Sequence, residues 1–270
     1  MATRSPDAAV VFADAFTARF GTDAVQRLPA IAEAIGLKIV EVEADAFEGM
    51  LRRIKGRMLG TIALSRSVGE PRRRNFTVLH EIAHYVLPTH ADSSSPCRPR
   101  DIERWDPCLR ARELEANRFA AAALMPRAAV VDLFSREPSF DAIETLADRQ
   151  RASLTAAAYR YVELSGERVA IVWSEQDEVK WAKTSELFYR GVKRGPLDNQ
   201  SFAARAFRGK AIPDQWDRVD PTAWFADRNL KDSATILEHS KVLGQYGVLT
   251  LLWIDEAIEA WTEDGDEGLI

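Results

Sequence analysis

Two cysteines in 270 residues, Cys97 and Cys108, allow at most one disulfide and form no CxxC pair. A chain of this size with so few thiols does not depend on a disulfide framework. Long apolar runs are missing as well. None approaches the roughly 18–20 residues that a membrane-spanning helix needs. The opening MATRSPDAAVVFADAF has its apolar run broken by Asp14 and holds no secretory signal core. These absences predict a cytoplasmic protein with no membrane partner. Internal repeats and low-complexity tracts are absent too, and the nearest to a loose stretch is HADSSSPCRPRD at 90–101. Histidine is scarce, with four in the whole chain.

What remains is ordinary for a folded chain. Apolar residues make up 46% and charged residues 29% of a 30.2 kDa polypeptide, enough to bury a core in one or two domains. The net charge of −5 is unevenly spread: residues 1–128 carry +3 and residues 129–270 carry −8. Neither half is a basic body that would hold nucleic acid by bulk electrostatics.

Periodicity predicts an α+β first half. Helices are expected over 7–20 and 23–35, a half-buried strand at LKIVEVEA, and two short strands in 49–65. A helix at about 76–87 follows, with Asn75 as N-cap and Pro88 as stop, then another at 109–124. Residues 129–165 read as helical, with Ser139 and Ser153 as caps. Beyond Gly166, RVAIVW, DEVKW and VLTLLWI read as strands, with a helix expected at about 233–244. The segment 190–230 gives no clear pattern. The predicted organisation is an α+β domain at 1–128, a helical helix-turn-helix-like segment at 129–166, and a C-terminal α/β domain at 167–270.

Two of the four histidines fall in one pentapeptide, His80-Glu81-Ile82-Ala83-His84. On a helix, His80 and His84 lie one turn apart on one face. Two imidazoles so placed can both reach one Zn²⁺ at about 2.0–2.1 Å. Glu81 does not share that ligand face, but it is placed to act as a base on water at the metal. A catalytic zinc needs a third protein ligand, and ELEANRFAAAALMP supplies the candidates. Glu113 is favoured, with Asn117 one turn on to orient a ligand histidine. Glu115 is the competing ligand, some 200° away around the helix.

The blocks RRRNFTVLHEIAHYVL and ELEANRFAAAALMP resemble the ImmA/IrrE family of bacterial zinc metallopeptidases. The likeness covers about residues 10–165 and is weaker beyond. It implies a zincin-like fold, His80, His84 and Glu113 as ligands of one zinc per chain, and Glu81 as the catalytic glutamate. It also implies a protein substrate, typically a helix-turn-helix repressor in a stress-response or mobile-element circuit. Asn75 stands where the family usually has Arg, and Ala123 where it usually has Leu. Neither position supplies a ligand or the base.

Other features are weaker. Residues 141–164 have a helix-turn-helix flavour, but 129–166 carries four basic and six acidic residues, which argues against direct DNA binding. Cys97 and Cys108, with His90 nearby, read as ordinary loop thiols, the alternatives being a second metal site or one thiol covering the active zinc. His239 reads as a structural residue on an amphipathic helix. Six of the seven tryptophans lie in the C-terminal half, where they suit a core or an apolar pocket of a sensory or docking domain. The rival to the peptidase is a non-proteolytic, metal-containing regulator or toxin–antitoxin component that binds a repressor or DNA.

Overall fold

The computed structural model describes residues 7–54, 57–90, 107–135, 137–226 and 236–255, and of residues 107–110 the backbone alone. The chain is a mixed α+β protein that divides into two compact units: Met1–Leu133 with Asp141–Ala157, and Phe134–Phe140 with Ala158–Ile270. Cys97 lies outside the described residues. Cys108 falls in the first turn of a helix, but its side chain is outside the description. No helix among the described residues is long and apolar enough to cross a membrane.

The first unit opens with α1 (Ala8–Phe20), whose N-cap Asp7 accepts from the Ala9 amide at 3.0 Å. A 3₁₀ turn leads into α2 (Leu28–Ala34). Gly36, at φ +86°, makes the turn into a three-stranded sheet of β1 (Leu37–Val42), β2 (Gly49–Arg53) and β3 (Gly60–Ser65). β3 is central, parallel to β1 and antiparallel to β2, which leaves β2 on an edge.

Helix α3 (Pro71–Val86) packs against β2 and β3. It starts at Pro71 rather than near 76, and its N-cap is Glu70, not Asn75. The Glu70 carboxylate accepts from the Arg73 amide at 2.8 Å, and Pro71 occupies a first-turn position where its missing N–H costs nothing. The extra turn carries Arg73 and Arg74 to ion pairs with Glu48 and Glu41 beside the sheet. Leu87 leaves the helix in an extended conformation, as a residue preceding proline must, and a 3₁₀ turn follows at Pro88–His90. Helix α4 (Pro107–Leu124) runs along α3, and α1 packs on α4. Short α5 (Arg127–Val131) and α6 (Phe140–Arg149) come next. Helix α7 (Leu154–Leu164) is capped by Ser153, whose hydroxyl accepts from the Ala156 amide at 3.2 Å.

The second unit is built on a six-stranded sheet in the order β6-β5-β4-β9-β8-β7. Its strands are β4 (Val169–Glu175), β5 (Glu178–Thr184), β6 (Gly195–Pro196), β7 (Asp217–Val219), β8 (Ile236–Val242) and β9 (Val248–Trp253). Every pairing is antiparallel. The expected α/β domain is therefore α+β in this region: the 176–177 and 243–247 connections are too short for the crossovers that parallel strands need. Gln176 and Asp177 both have positive φ, which matches a tight hairpin turn.

The helix expected at 233–244 is the strand β8. Its neighbour β9 is buried along its whole length, so β8 gains a full antiparallel ladder from Leu237↔Trp253 to Val242↔Val248. One face of the sheet is closed by α8 (Phe202–Phe207), Trp224 and Phe225. Buried within that core, the Glu238 carboxylate accepts from the Ala203 amide (2.9 Å), Trp224 Nε1–H (2.8 Å) and the Ser240 hydroxyl (2.8 Å). Burial pushes its pKa up despite these donors. His239 lies on the strand's other face, against the rings of Phe140 and Trp216.

Candidate metal centre

Helix α3 is buried from Thr77 to Tyr85, so the side chains of its HExxH segment are held by packing on every side. His80 and His84 lie one turn apart and meet edge to face, ring centroids 4.8 Å from each other, with their Nε2 atoms 3.1 Å apart. Helix α4 brings Glu113 onto the same point. Its Oε2 lies 3.1 Å from His80 Nε2 and its Oε1 lies 3.4 Å from His84 Nε2. Four residues on, Asn117 Oδ1 sits 3.0 Å from His80 Nδ1. Facing a carbonyl-type oxygen, His80 Nδ1 carries the ring proton and Nε2 presents its lone pair inward.

Two imidazole lone pairs and a carboxylate thus converge, and such a set has high affinity for positive charge. Ligand atoms at the corners of a tetrahedral zinc site lie about 3.3 Å apart when each is about 2.0–2.1 Å from the ion. The observed separations of 3.1, 3.1 and 3.4 Å match that spacing. The electrostatics agree. Burial works against a charged His80, but Glu113 and Glu81 outweigh it and raise the His80 pKa. Burial alone would raise Glu113, yet hydrogen bonds and charge from His80 and His84 hold it well below the usual carboxylate range. Among the described residues this is the group placed to hold a metal ion.

Glu81 is 1% exposed, and neither carboxylate oxygen meets a donor in hydrogen-bonding geometry. Burial pushes its carboxyl up, opposed by His80 and His84 and, from outside hydrogen-bonding geometry, by the Leu51 amide of β2. Space for it is made by Gly49 at the start of β2. A Cβ there would fall 2.8 Å from Glu81 Oε1 and 2.6 Å from Thr77 Cγ2. A buried carboxylate without a hydrogen-bond partner is costly to stability, and its place beside three ligand atoms suits a chemical role there.

The sequence-predicted residues His80, Glu81, His84, Glu113 and Asn117 are brought together. Glu115 is not with the ligand atoms: its Oε2 lies 3.1 Å from His90 Nε2 and accepts from the Thr89 hydroxyl at 2.8 Å. Three contributors lie outside the residues the sequence predicts for this centre. His90, fully buried, sets its Nδ1 2.8 Å from His84 Nδ1. Arg53 donates to the His84 and His90 carbonyls and lies over the Tyr85 ring. Gly49 gives the clearance just described. His90 was visible as one of only four histidines, but no helical spacing ties it to His84 across Pro88.

Residues 32–161 match the family model of the Peptidase M78, IrrE N-terminal-like domain, a span that contains every residue of this centre. Over that span the segment is similar to the IrrE N-terminal-like domain. Over 158 residues the chain is 30% identical to the radiation response metalloprotease IrrE of Deinococcus deserti, covering 57% of this chain and 54% of that protein. The chain therefore spans about half the length of that curated relative. A solved Mycobacterium tuberculosis transcriptional regulator superposes with a TM-score of 0.55, covering 97% of this chain and 92% of its own, at 14% identity. At that identity the likeness is one of fold. A metallopeptidase family implies a metal, and His80, His84 and Glu113 of the IrrE-like domain are the residues that fit one.

Proposed function

We propose that this chain is a zinc-dependent endopeptidase that holds one zinc per chain and cleaves a protein substrate. The observation that carries the reading is the convergence of His80, His84 and Glu113 beside the buried, unpartnered carboxylate of Glu81. His80, His84 and Glu113 would hold the ion, and Asn117 fixes the tautomer of His80. When bound, zinc supplies Lewis-acid polarisation of a peptide carbonyl and acidification of a water molecule. Glu81 takes up a proton at its carboxylate and returns it to the leaving amine. In the metal-free site burial raises its pKa, the direction a proton carrier needs.

The proposed substrate is a helix-turn-helix repressor in a stress-response or mobile-element circuit. The family resemblance supports this, as does the radiation-response name of the Deinococcus relative. The peptidase chemistry belongs to 1–128, with a helical segment at 129–166 and a sensory or docking domain at 167–270. A second reading, a non-proteolytic regulator, takes its motive from the M. tuberculosis neighbour, which is named as a transcriptional regulator. Direct DNA binding finds little support: Arg160, the one basic residue of α7, is buried and paired with Glu163 at 2.7 Å. Against the regulator stands Glu81, whose burial a purely structural metal site would not need.

The test is incubation of the zinc-loaded chain with candidate helix-turn-helix repressors from the same genome, in parallel with Glu81→Gln. The reading expects site-specific cleavage by the wild type and at least about a 10²-fold loss in the variant. Equal cleavage by both, or by neither while zinc is bound, would overturn it.

A further inference from the structure

Beyond the ligand set and the base, a second chain of side chains leads away from the centre. It runs from His84 Nδ1 to His90 Nδ1 (2.8 Å) and from His90 Nε2 to Glu115 Oε2 (3.1 Å). We infer that His90 and Glu115 are positioning residues, an outer imidazole–carboxylate pair that presents the lone pair of His84 Nε2 to the metal. The inference rests on the metal reading above and adds to it two residues that neither bind the ion nor touch substrate.

The direction of the chain follows from which atoms can donate. An ionised carboxylate only accepts, so the proton between Glu115 and His90 belongs to His90 Nε2. A neutral His90 then offers Nδ1 as an acceptor. Two facing ring nitrogens need one proton between them, and with His90 accepting, that proton sits on His84 Nδ1. His84 Nε2 is left with its lone pair, at the point where His80 Nε2 and Glu113 converge. The opposite arrangement, with His90 donating through Nδ1, puts a proton on His84 Nε2 and closes that position. Glu115 accepting from His90 is thus coupled through two rings to the state of His84 that can ligate.

The geometry is held from outside. Thr89 donates to the same Glu115 oxygen at 2.8 Å. Arg53, from the end of β2, donates to the carbonyls of His84 and His90 and so ties the end of α3 to the turn that follows it. His80 has its own outer partner in Asn117, so each ligand histidine is oriented through its Nδ1 by a different device. His90 has no exposed surface, whereas the Glu115 side chain is about one-third exposed at 35%. Glu115 is therefore the position to vary with least risk to the fold.

The experiment measures zinc affinity of the full-length chain by competition with a chromophoric chelator. The proteins are wild type, Glu115→Ala, Glu115→Gln and His84→Ala, each with a melting curve of the metal-free form. Loss of an outer partner costs about 10- to 100-fold in metal affinity. Glu115→Ala should weaken zinc by that factor, and Glu115→Gln, which still accepts from His90, by less. The metal-free melting temperature should stay close to wild type. In parallel, ¹H–¹⁵N correlation spectra of the zinc-loaded wild type should show His84 protonated at Nδ1 and His90 at Nε2. Wild-type zinc affinity in both Glu115 variants, or His90 protonated at Nδ1, would overturn the inference while loss of zinc in His84→Ala leaves the metal reading standing. Zinc retained at full affinity in His84→Ala would overturn both.

Discussion

At the scale of single residues, the centre is a contest between burial and charge. Glu113 and His80 are each unfavourable in isolation, and each is made tolerable by the other. Removing Glu113 leaves two histidines without their anion, so Glu113→Ala should lose zinc. Glu81→Gln should keep it, since Glu81 contributes no ligand atom. Equal zinc affinity in Glu113→Ala and wild type, measured by chelator competition, would show a different third ligand. Asn117→Ala should weaken zinc by about tenfold, because His80 Nδ1 loses its acceptor. An unchanged dissociation constant would show that packing alone orients the ring. These residues were legible in the sequence because i, i+4 spacing on a helix fixes a shared face without knowledge of the fold. His90 was not, since its approach to His84 depends on the 3₁₀ turn after Pro88. Glu115 was legible as a candidate ligand but not as the partner of His90, because that role depends on where the turn puts the ring.

At the scale of elements, the fit of α3 on β2 decides whether Glu81 is buried in the right place. Gly49→Ala would drive a methyl group into Thr77 and Glu81. Overpacking of this kind costs about 1–3 kcal/mol, and a lower urea midpoint together with reduced cleavage is expected. A midpoint equal to wild type would mean that β2 moves freely. In the second unit, Glu238 accepts three donors from α8, Trp224 and β8. Glutamine has one accepting oxygen where the carboxylate has two, so Glu238→Gln leaves a buried donor unmet, at a cost of about 1–3 kcal/mol. Denaturant unfolding checks this, and an unchanged midpoint would contradict it. The same residue explains why β8 reads as a helix. Glu238 and Ser240 point into the core, so the alternation of ILEHSKV does not follow polarity, and a helical period fits it equally well. The early start of α3 was readable in Glu70-Pro71, a cap and a first-turn proline, but Asn75 is the stronger cap by type and drew the boundary inward. Strands β4 and β9 were legible because they are buried along nearly their whole length and read as continuous apolar runs.

At the scale of the whole molecule, the charge is divided, with −8 carried by residues 129–270. A basic substrate such as a DNA-binding repressor would be steered by that field, and screening at roughly physiological salt acts over about 8 Å. Cleavage at low substrate concentration should slow as salt rises from about 0.05 to 0.5 M, while zinc content stays constant. A salt-independent rate would remove the acidic half from substrate capture. Metal binding also links to folding: a ligand held only by the native state stabilises it by about 2.7 kcal/mol at a hundredfold excess over its dissociation constant. Chelation should therefore lower the melting temperature of the wild type, and leave Glu113→Ala unchanged. The central claim is the metal bound by two imidazoles of α3 and one carboxylate of α4, and zinc-edge X-ray absorption on the full-length, zinc-loaded chain tests it most directly. The account predicts one zinc per chain with two imidazole nitrogens and carboxylate oxygen in its shell, and loss of bound zinc in Glu113→Ala. Sulfur in the shell from Cys97 or Cys108, or an unaltered spectrum in Glu113→Ala, would contradict it.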